Sequence, residues 1–160
     1  MGESFGGGIV FYVYDNGKHG LIIAAEDQST GINASTFTSS NCCTTTNAFR
    51  DGVNAGISNT ERIIISQGSG SYAASLAANY KGGGYGDWYL PSIEELNKMY
   101  QNIGQGNALG LGNVGGFAVT SYWSSTDSDG LSAGTQNFNN GNQDFYFKDG
   151  YFNVRSVRAF

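Results

Sequence analysis

The chain opens with two short apolar runs separated by a turn sequence. The first run, GGGIVFYVY, extends from Gly6 to Tyr14 and is rich in β-branched and aromatic residues. The tetrapeptide DNGK follows, and a second apolar run, HGLIIAAE, begins at His19. Asn-Gly between two such runs favours the tight turn of a β-hairpin. The sequence therefore predicts that the chain begins with an antiparallel hairpin.

Apolar positions with helical spacing follow in the middle of the chain. They predict two short helices, over residues 58–67 and 71–81, separated by a Gly-Ser break. A third helix is predicted after Ser92, because Ser92 and Glu95 have the spacing of a capping box. Glu94 and Glu95 could serve as acid/base carboxylates, but the helix dipole alone favours acidic residues in a first turn. We interpret both as structural.

A stretch of Ser, Thr and Asn with little periodicity runs from Gln28 to about Thr46 and predicts a long surface loop. The two cysteines, Cys42 and Cys43, are adjacent within it. A disulfide between neighbouring residues requires a strained ring. We interpret them as structural or incidental thiols, with a vicinal disulfide and a reactive thiol as the alternatives.

Short strand-like segments punctuated by turns make up the C-terminal third. FAVTSYWSST is followed by TQNFNN, QDFYF and NVRSVRAF, a pattern that predicts a small antiparallel sheet and, with the helices, an α+β fold. In the last segment, alternation places Val154, Ser156 and Arg158 on one face and Arg155 and Val157 on the other. The arginines are expected to brace loops through paired hydrogen bonds rather than to grip an anionic ligand.

The segment from Asp144 to Asn153, DFYFKDGYFN, holds more aromatic residues than one buried face can take. Five of its ten residues are aromatic, and Phe145, Tyr146 and Phe147 are consecutive. Because side chains alternate along a strand, some of the three must face solvent or a partner. Rigid rings among small polar residues are typical of protein recognition surfaces. The segment therefore indicates binding rather than catalysis.

Length and charge narrow the classes of protein that fit. With 160 residues the chain is long enough for one domain with its own core, which we predict over residues 1–160. Eight basic against thirteen acidic residues give a net charge of -5, so nucleic acid is not an expected partner. No stretch approaches ~18 apolar residues, and MGESFGGG has no basic region followed by an apolar run, so we expect neither membrane insertion nor an export signal in this sequence.

Few residues are suited to metal binding or catalysis. His19 is the only histidine, so a zinc site lacks ligands and a catalytic triad would depend on a base at a predicted turn. Asp127, Asp129, Asp144 and Asp149 offer oxygen ligands for calcium, but no loop has a recognisable calcium spacing. We therefore predict no enzyme and no cofactor, with calcium as the open alternative.

Four segments in order, GDWYLPSIEELNKMY, YWSST, NFNNGNQ and VRSVRAF, resemble a family of bacterial and phage domains. Its namesake is the C-terminal domain of the Legionella collagen-like adhesin. The resemblance implies a C-type-lectin-like fold of the formylglycine-generating-enzyme branch, and binding rather than catalysis. Formylglycine chemistry relies on late cysteines, and none follows Cys43. The resemblance also implies a bacterial surface or a phage tail-fibre tip, where related proteins are often homotrimers.

The layout of the C-terminal blocks is similar to that of variable proteins of diversity-generating retroelements, which include the phage major tropism determinant. In those proteins, variable positions replace template Asn codons between stretches of scaffold, here Trp123, Arg155 and Arg158. The ligand would be a cell-surface protein or glycan. The alternative function is a fixed-specificity lectin-like adhesin for glycans or glycosaminoglycans, and the alternative place for Phe145, Phe147 and Phe152 is the core. The resemblance implies these ligand-contact residues: Ser128, Asp129, Gly130, Leu131, Ser132, Thr135, Asp144, Phe145, Tyr146, Phe147, Asp149, Gly150, Tyr151, Phe152 and Asn153.

Overall fold

Two β-sheets and three helices form the described part of the structure, a computed structural model that describes residues 1–36 and 44–160. The helices are α1 (Ala55–Gln67), α2 (Ala73–Asn79) and α3 (Ile93–Ile103). The strands are β1 (Ser4–Phe5), β2 (Gly8–Tyr14), β3 (His19–Ala24), β4 (Ser29–Ile32), β5 (Ser121–Asp127), β6 (Ser132–Asn137), β7 (Gln143–Phe147), β8 (Phe152–Val154) and β9 (Val157–Ala159). The predicted α+β class is confirmed, and the arrangement is consistent with a C-type-lectin-like domain.

The first sheet contains the predicted hairpin. Its strand order is β1-β2-β3-β9, and all of its neighbours are antiparallel. Between β2 and β3 the chain reverses at Asn16, with φ 54°, and Gly17, with φ 82°. Glycine and asparagine tolerate this left-handed backbone better than other residues. The opening hairpin is therefore confirmed, and its turn residues are the reason for it.

The second sheet, in the order β4-β8-β5-β6-β7, is mixed rather than antiparallel. Strands β5, β6 and β7 are antiparallel neighbours, but β8 pairs in parallel with β5. Strand β4 lies within the stretch from Gln28 to Thr46, so the prediction of an uninterrupted loop there is wrong. Its residues, STGI, lack apolar alternation because the strand lies at a partly exposed edge of the sheet. Cys42 and Cys43 lie outside the described residues.

The predicted single strand through VRSVR is also wrong. Val154 ends β8 in the second sheet, and Val157 begins β9, where it pairs with Ile23 of the first sheet. Arg155 and Ser156 carry the chain from one sheet to the other, so alternation along one strand does not apply to them. We call this segment the crossing, and it connects the two sheets close to the C-terminal residue, Phe160.

Arg155 braces the loops around this crossing, as predicted. Its guanidinium is buried and its Nε donates to Asp27 Oδ1 at 2.5 Å. Asp27 Oδ2 also accepts from the Tyr122 hydroxyl and the Asn153 amide, both at 3.0 Å. The remaining nitrogens of Arg155 donate to the carbonyl oxygens of Ala24, Gly115 and Gly116.

Strand β5 lies between two hydrophobic clusters. Tyr122 packs into the cluster that includes α3, and Trp123 packs into the cluster that includes α1 and α2. Trp123 is fully buried and its Nε1 donates to the Ile32 carbonyl at 2.7 Å. On β6, a Cβ at Gly134 would lie 2.9 Å from Ile93 Cδ1, so glycine allows α3 to approach the sheet closely. The scaffold role expected of Trp123 matches this position.

The predicted helices are present, and α3 begins with the predicted capping box. Ser92 Oγ accepts from the Glu95 backbone N–H at 3.2 Å, and Glu95 Oε2 accepts from the Ser92 N–H at 2.7 Å. Glu95 Oε1 also accepts from the Asn54 N–H at 2.8 Å and the Tyr89 hydroxyl at 3.0 Å. The side chain is fully buried, so it joins three segments of the core and cannot reach a substrate.

Glu95→Gln is expected to destabilise the fold by about 1–3 kcal/mol, because an amide nitrogen cannot accept a hydrogen bond, whereas both carboxyl oxygens accept from buried donors and keep this capacity when the group is protonated. Burial raises the pKa of Glu95 above 4.5, against the lowering effect of its hydrogen bonds. The folded state therefore holds this proton more tightly than the unfolded state. The stability that the Glu95 carboxyl group contributes is fully present below its pKa in the unfolded state. It is lost as the pH rises through its pKa in the folded state.

Urea unfolding from pH 4 to pH 8 measures this effect. The stability difference between wild type and Glu95→Gln is expected to shrink as pH rises, and a constant difference would contradict the assignment. Glu94→Gln is the matched control, because Glu94 is on the surface and makes only an i,i+4 ion pair with Lys98. It is expected to change stability by about 0.5 kcal/mol or less.

Candidate ligand-binding surface

Strand β7 forms an outer edge of the second sheet, and all five of its residues are exposed. The exposed fractions are 47 % for Phe145, 46 % for Tyr146 and 66 % for Phe147, and Tyr151 in the following turn is 72 % exposed. The alternative that Phe145 and Phe147 belong to the core is therefore wrong. We call Phe145, Tyr146, Phe147 and Tyr151 the aromatic edge.

The three consecutive aromatic residues point to both faces of the sheet. Tyr146 pairs with Ala133, which packs into the Trp123 cluster, whereas Phe145 pairs with Gly134, whose Cβ would approach Ile93 of α3. Side chains of directly opposite residues share a face. The ring centroid of Tyr146 lies 5.1 Å from that of the half-buried Phe152, which lies 4.8 Å from Trp123. The edge is thus anchored to the core through Phe152.

The loop between β5 and β6, residues 128–131, lies beside one end of the aromatic edge. The Lys148 backbone N–H donates to the Leu131 carbonyl at 2.9 Å, and Ser132 pairs with Phe147. Asp129 Oδ1 accepts from the backbone N–H groups of Leu131 and Ser132, each at 2.7 Å. These bonds lower the pKa of Asp129. The loop is therefore held in shape before any ligand arrives, which lowers the ordering cost of binding.

A buried ion pair fixes the base of the same region. Lys148 Nζ donates to Asp127 Oδ2 at 2.7 Å and to the Asp129 carbonyl at 3.3 Å, and both ion-pair side chains are almost fully buried. The Thr46 hydroxyl donates to the same Asp127 oxygen. Burial raises the pKa of Asp127, and the adjacent ammonium group opposes the rise. The ion pair ties the end of β5 to the turn after β7.

Thirteen of the fifteen expected ligand-contact residues are exposed or half-exposed along this part of the surface. Thr135 and Asn153 are buried, so the structure does not present their side chains at this surface. Thr135 is opposite Trp123 on a covered face of the sheet, and the Asn153 amide is bonded to Asp27. Phe152 is only half-buried, so the core alternative holds for it in part.

The chain matches the family described as the Lcl C-terminal domain over residues 24–158. It belongs to the Lcl C-terminal domain family. The match confirms the resemblance found in the motifs. The family is one of adhesin-type domains, which supports ligand binding and surface exposure. A search of curated proteins finds no match to the chain.

This Lcl-type domain presents an acidic charge around its aromatic edge. Asp129, Asp144 and Asp149 are exposed, whereas Lys148, the only basic residue between positions 128 and 153, is buried in its ion pair. Within residues 1–36 and 44–160, no group of three or more His, Cys, Asp or Glu residues has the geometry to hold a metal ion. None of the described helices is long and apolar enough to cross a membrane.

Sequence reasoning missed a groove of about 530 Å³ beside α1 of the Lcl-type domain. Arg50 and Arg62 line it together with Glu61 and hydroxyl side chains that include Ser58 and Ser66. Neither arginine forms an ion pair within the described part of the chain. The two arginines are twelve positions apart and join no motif, so the sequence offers no signal for the groove.

Proposed function

We propose that the domain is a receptor-recognition module whose aromatic edge and neighbouring β5–β6 loop contact a cell-surface protein or glycan. The observation that supports this most strongly is the exposure of four aromatic side chains on one ordered edge. Exposed apolar side chains in a contiguous set mark interaction sites more often than isolated ones do. Aromatic residues also dominate the energetics of protein interfaces.

The order of the surrounding structure adds to the argument. Phe152 and Trp123 support Tyr146 from below, and the Lys148–Asp127 pair holds the adjacent turn. A surface that is already ordered loses less conformational entropy on binding. The site has the form of a rigid base that carries exposed, chemically varied side chains.

We further propose that the exposed positions of this surface are diversified by a retroelement in a phage or bacterial surface protein. The candidate positions lie in solvent-facing turns and on an edge strand, where substitution leaves Trp123 and Arg155 in place. The test is genomic. We expect a reverse-transcriptase gene nearby and a near-copy of the region from Tyr122 to Phe160 with Asn codons at the exposed positions. If the genome contains neither, the diversification proposal is wrong and the proposed binding surface is unaffected.

The second candidate function is a fixed-specificity adhesin for sulfated glycans, and the groove with Arg50 and Arg62 favours it. A polyanion would be repelled by Asp129, Asp144 and Asp149 at the aromatic edge. Binding of the labelled domain to cell-surface extract, with soluble heparin as competitor, separates the two candidates. We expect binding to survive heparin. Full displacement of the domain from the extract by heparin would favour the groove instead, provided that the double variant Arg50→Gln, Arg62→Gln also loses binding.

A further inference from the structure

Strand β7 has an unpaired backbone edge as well as exposed side chains. It is the last strand in the order β4-β8-β5-β6-β7, and no described strand pairs with its outer side. Natural edge strands are usually blunted by lysine, proline, a bulge or a covering segment. The sequence of β7, QDFYF, has no lysine or proline and only one charged residue, Asp144, and its register with β6 is regular over all five pairs.

The hydrogen bonds at the two ends of β7 identify which backbone groups face outward. The Lys148 N–H donates to the Leu131 carbonyl, and the Asn137 N–H donates to the Asn142 carbonyl. Hydrogen-bonded pairs alternate along an antiparallel ladder. Residues 144 and 146 therefore bond to β6, and the backbone groups of residues 143, 145 and 147 point away from the sheet.

Two further hydrogen bonds agree with this alternation of inward and outward backbone groups. The Phe145 N–H does not bond to β6 and instead donates to Oδ1 of the neighbouring Asp144 at 2.8 Å. The Phe147 carbonyl accepts from the Gly150 N–H of the following turn at 2.9 Å. The Phe145 carbonyl and the Phe147 N–H remain directed at the open edge, as a template for another strand.

The charge around the edge restricts the partner. Asp129, Asp144 and Asp149 are exposed in the same stretch of chain as the aromatic residues, and Lys148, the only basic residue between positions 128 and 153, is buried in its ion pair. Carboxylates and the faces of aromatic rings both attract Lys and Arg side chains. An added strand would place alternate side chains beside Phe145 and Phe147 on one face and beside Tyr146 on the other.

Resting on the proposed function above, we propose that the ligand includes an extended, basic polypeptide segment that adds to the second sheet as a sixth strand along β7. Main-chain hydrogen bonds to the open edge supply the register, and the side chains select the partner. A glycan cannot form this ladder, so the proposal commits the aromatic edge to a protein ligand.

The test uses the whole domain and a synthetic octapeptide with blocked ends, in which lysine alternates with valine and threonine. One control peptide carries the same side chains with its four central backbone nitrogens methylated, and another has glutamate in place of lysine. We expect the parent peptide to bind at least ~10-fold more tightly than either control. We also expect it to slow hydrogen exchange of the Phe147 amide at least ~10-fold, with little change at Tyr146, whose amide already bonds to β6.

Equal binding of the parent and methylated peptides, no binding of the parent, or unchanged exchange at Phe147 would each overturn strand addition. Chitotetraose and a heparin tetrasaccharide are titrated in parallel, and a glycan that binds the edge in place of the peptide would also overturn it. Such a failure is separable from failure of the proposed function. If alanine at the aromatic edge still abolishes binding to cell-surface extract, only strand addition is wrong.

Discussion

Replacing Phe145, Tyr146, Phe147 and Tyr151 together with alanine is expected to weaken binding to the cell-surface ligand at least ~100-fold while the domain stays folded. Hot-spot residues contribute about 2 kcal/mol or more each, although their effects do not add, and about 1.4 kcal/mol corresponds to a tenfold change in affinity. Two true hot spots among the four would suffice. Phe152 is left in place because it packs against Trp123, and its removal would also disturb the core.

The matched control removes exposed apolar side chains from other surfaces. Ile65 on α1, Leu109 and Val119 have exposed fractions similar to or larger than those of the aromatic edge. Their triple alanine variant is expected to bind as wild type does. Binding is measured by biolayer interferometry against immobilised cell-surface extract, and the fold by near-ultraviolet circular dichroism. If the two variants lose binding equally, or the aromatic variant retains it, the proposed surface is wrong.

Lys148→Met is expected to lower the free energy of unfolding by about 3–5 kcal/mol, because it leaves the Asp127 carboxylate buried without its partner. The wild-type pKa of Asp127 is already raised by burial, and Lys148 opposes that rise. Without the ammonium group the pKa rises further. The variant therefore regains stability as pH falls and the carboxyl group takes up a proton.

Urea unfolding of Lys148→Met at pH 4 and pH 7 checks both the size and the sign of this effect. The double variant Lys148→Met, Asp127→Asn is the control, because it removes both charges and keeps an acceptor for the Thr46 hydroxyl. It is expected to recover most of the lost stability. A single variant as stable as wild type, or a loss that grows as pH falls, would show that the ion pair is not what holds this region.

The features that the sequence predicts well are those set by neighbouring residues. Asn16 and Gly17 determine the first hairpin through their own backbone preferences, and Ser92 and Glu95 determine the start of α3 through a contact three residues apart. That some of Phe145, Tyr146 and Phe147 must be exposed follows from alternation along a single strand, although the exposure of all three reflects the edge position of β7. Each of these needs no knowledge of the rest of the fold.

The features that the sequence misses depend on distant partners. Strand β4 forms because β8, more than 100 positions later, offers it a backbone edge, and its own residues give little sign of it. The break at Arg155 occurs because Val154 pairs in one sheet and Val157 in the other, and no local breaker residue marks it. Thr135 is buried because Trp123 and its cluster cover that face, and Asn153 because it bonds to Asp27. These outcomes require the assembled core.

The central claim is that a ligand contacts the aromatic edge and the adjacent loop, and hydrogen exchange with mass spectrometry measures this directly. The domain is compared free and saturated with detergent-solubilised cell-surface ligand. We predict protection of peptides that cover residues 128–132 and 143–152, with little change in α1 and in the groove that contains Arg50 and Arg62. Protection confined to that groove, or no protection of residues 143–152 in a saturated complex, would contradict the account.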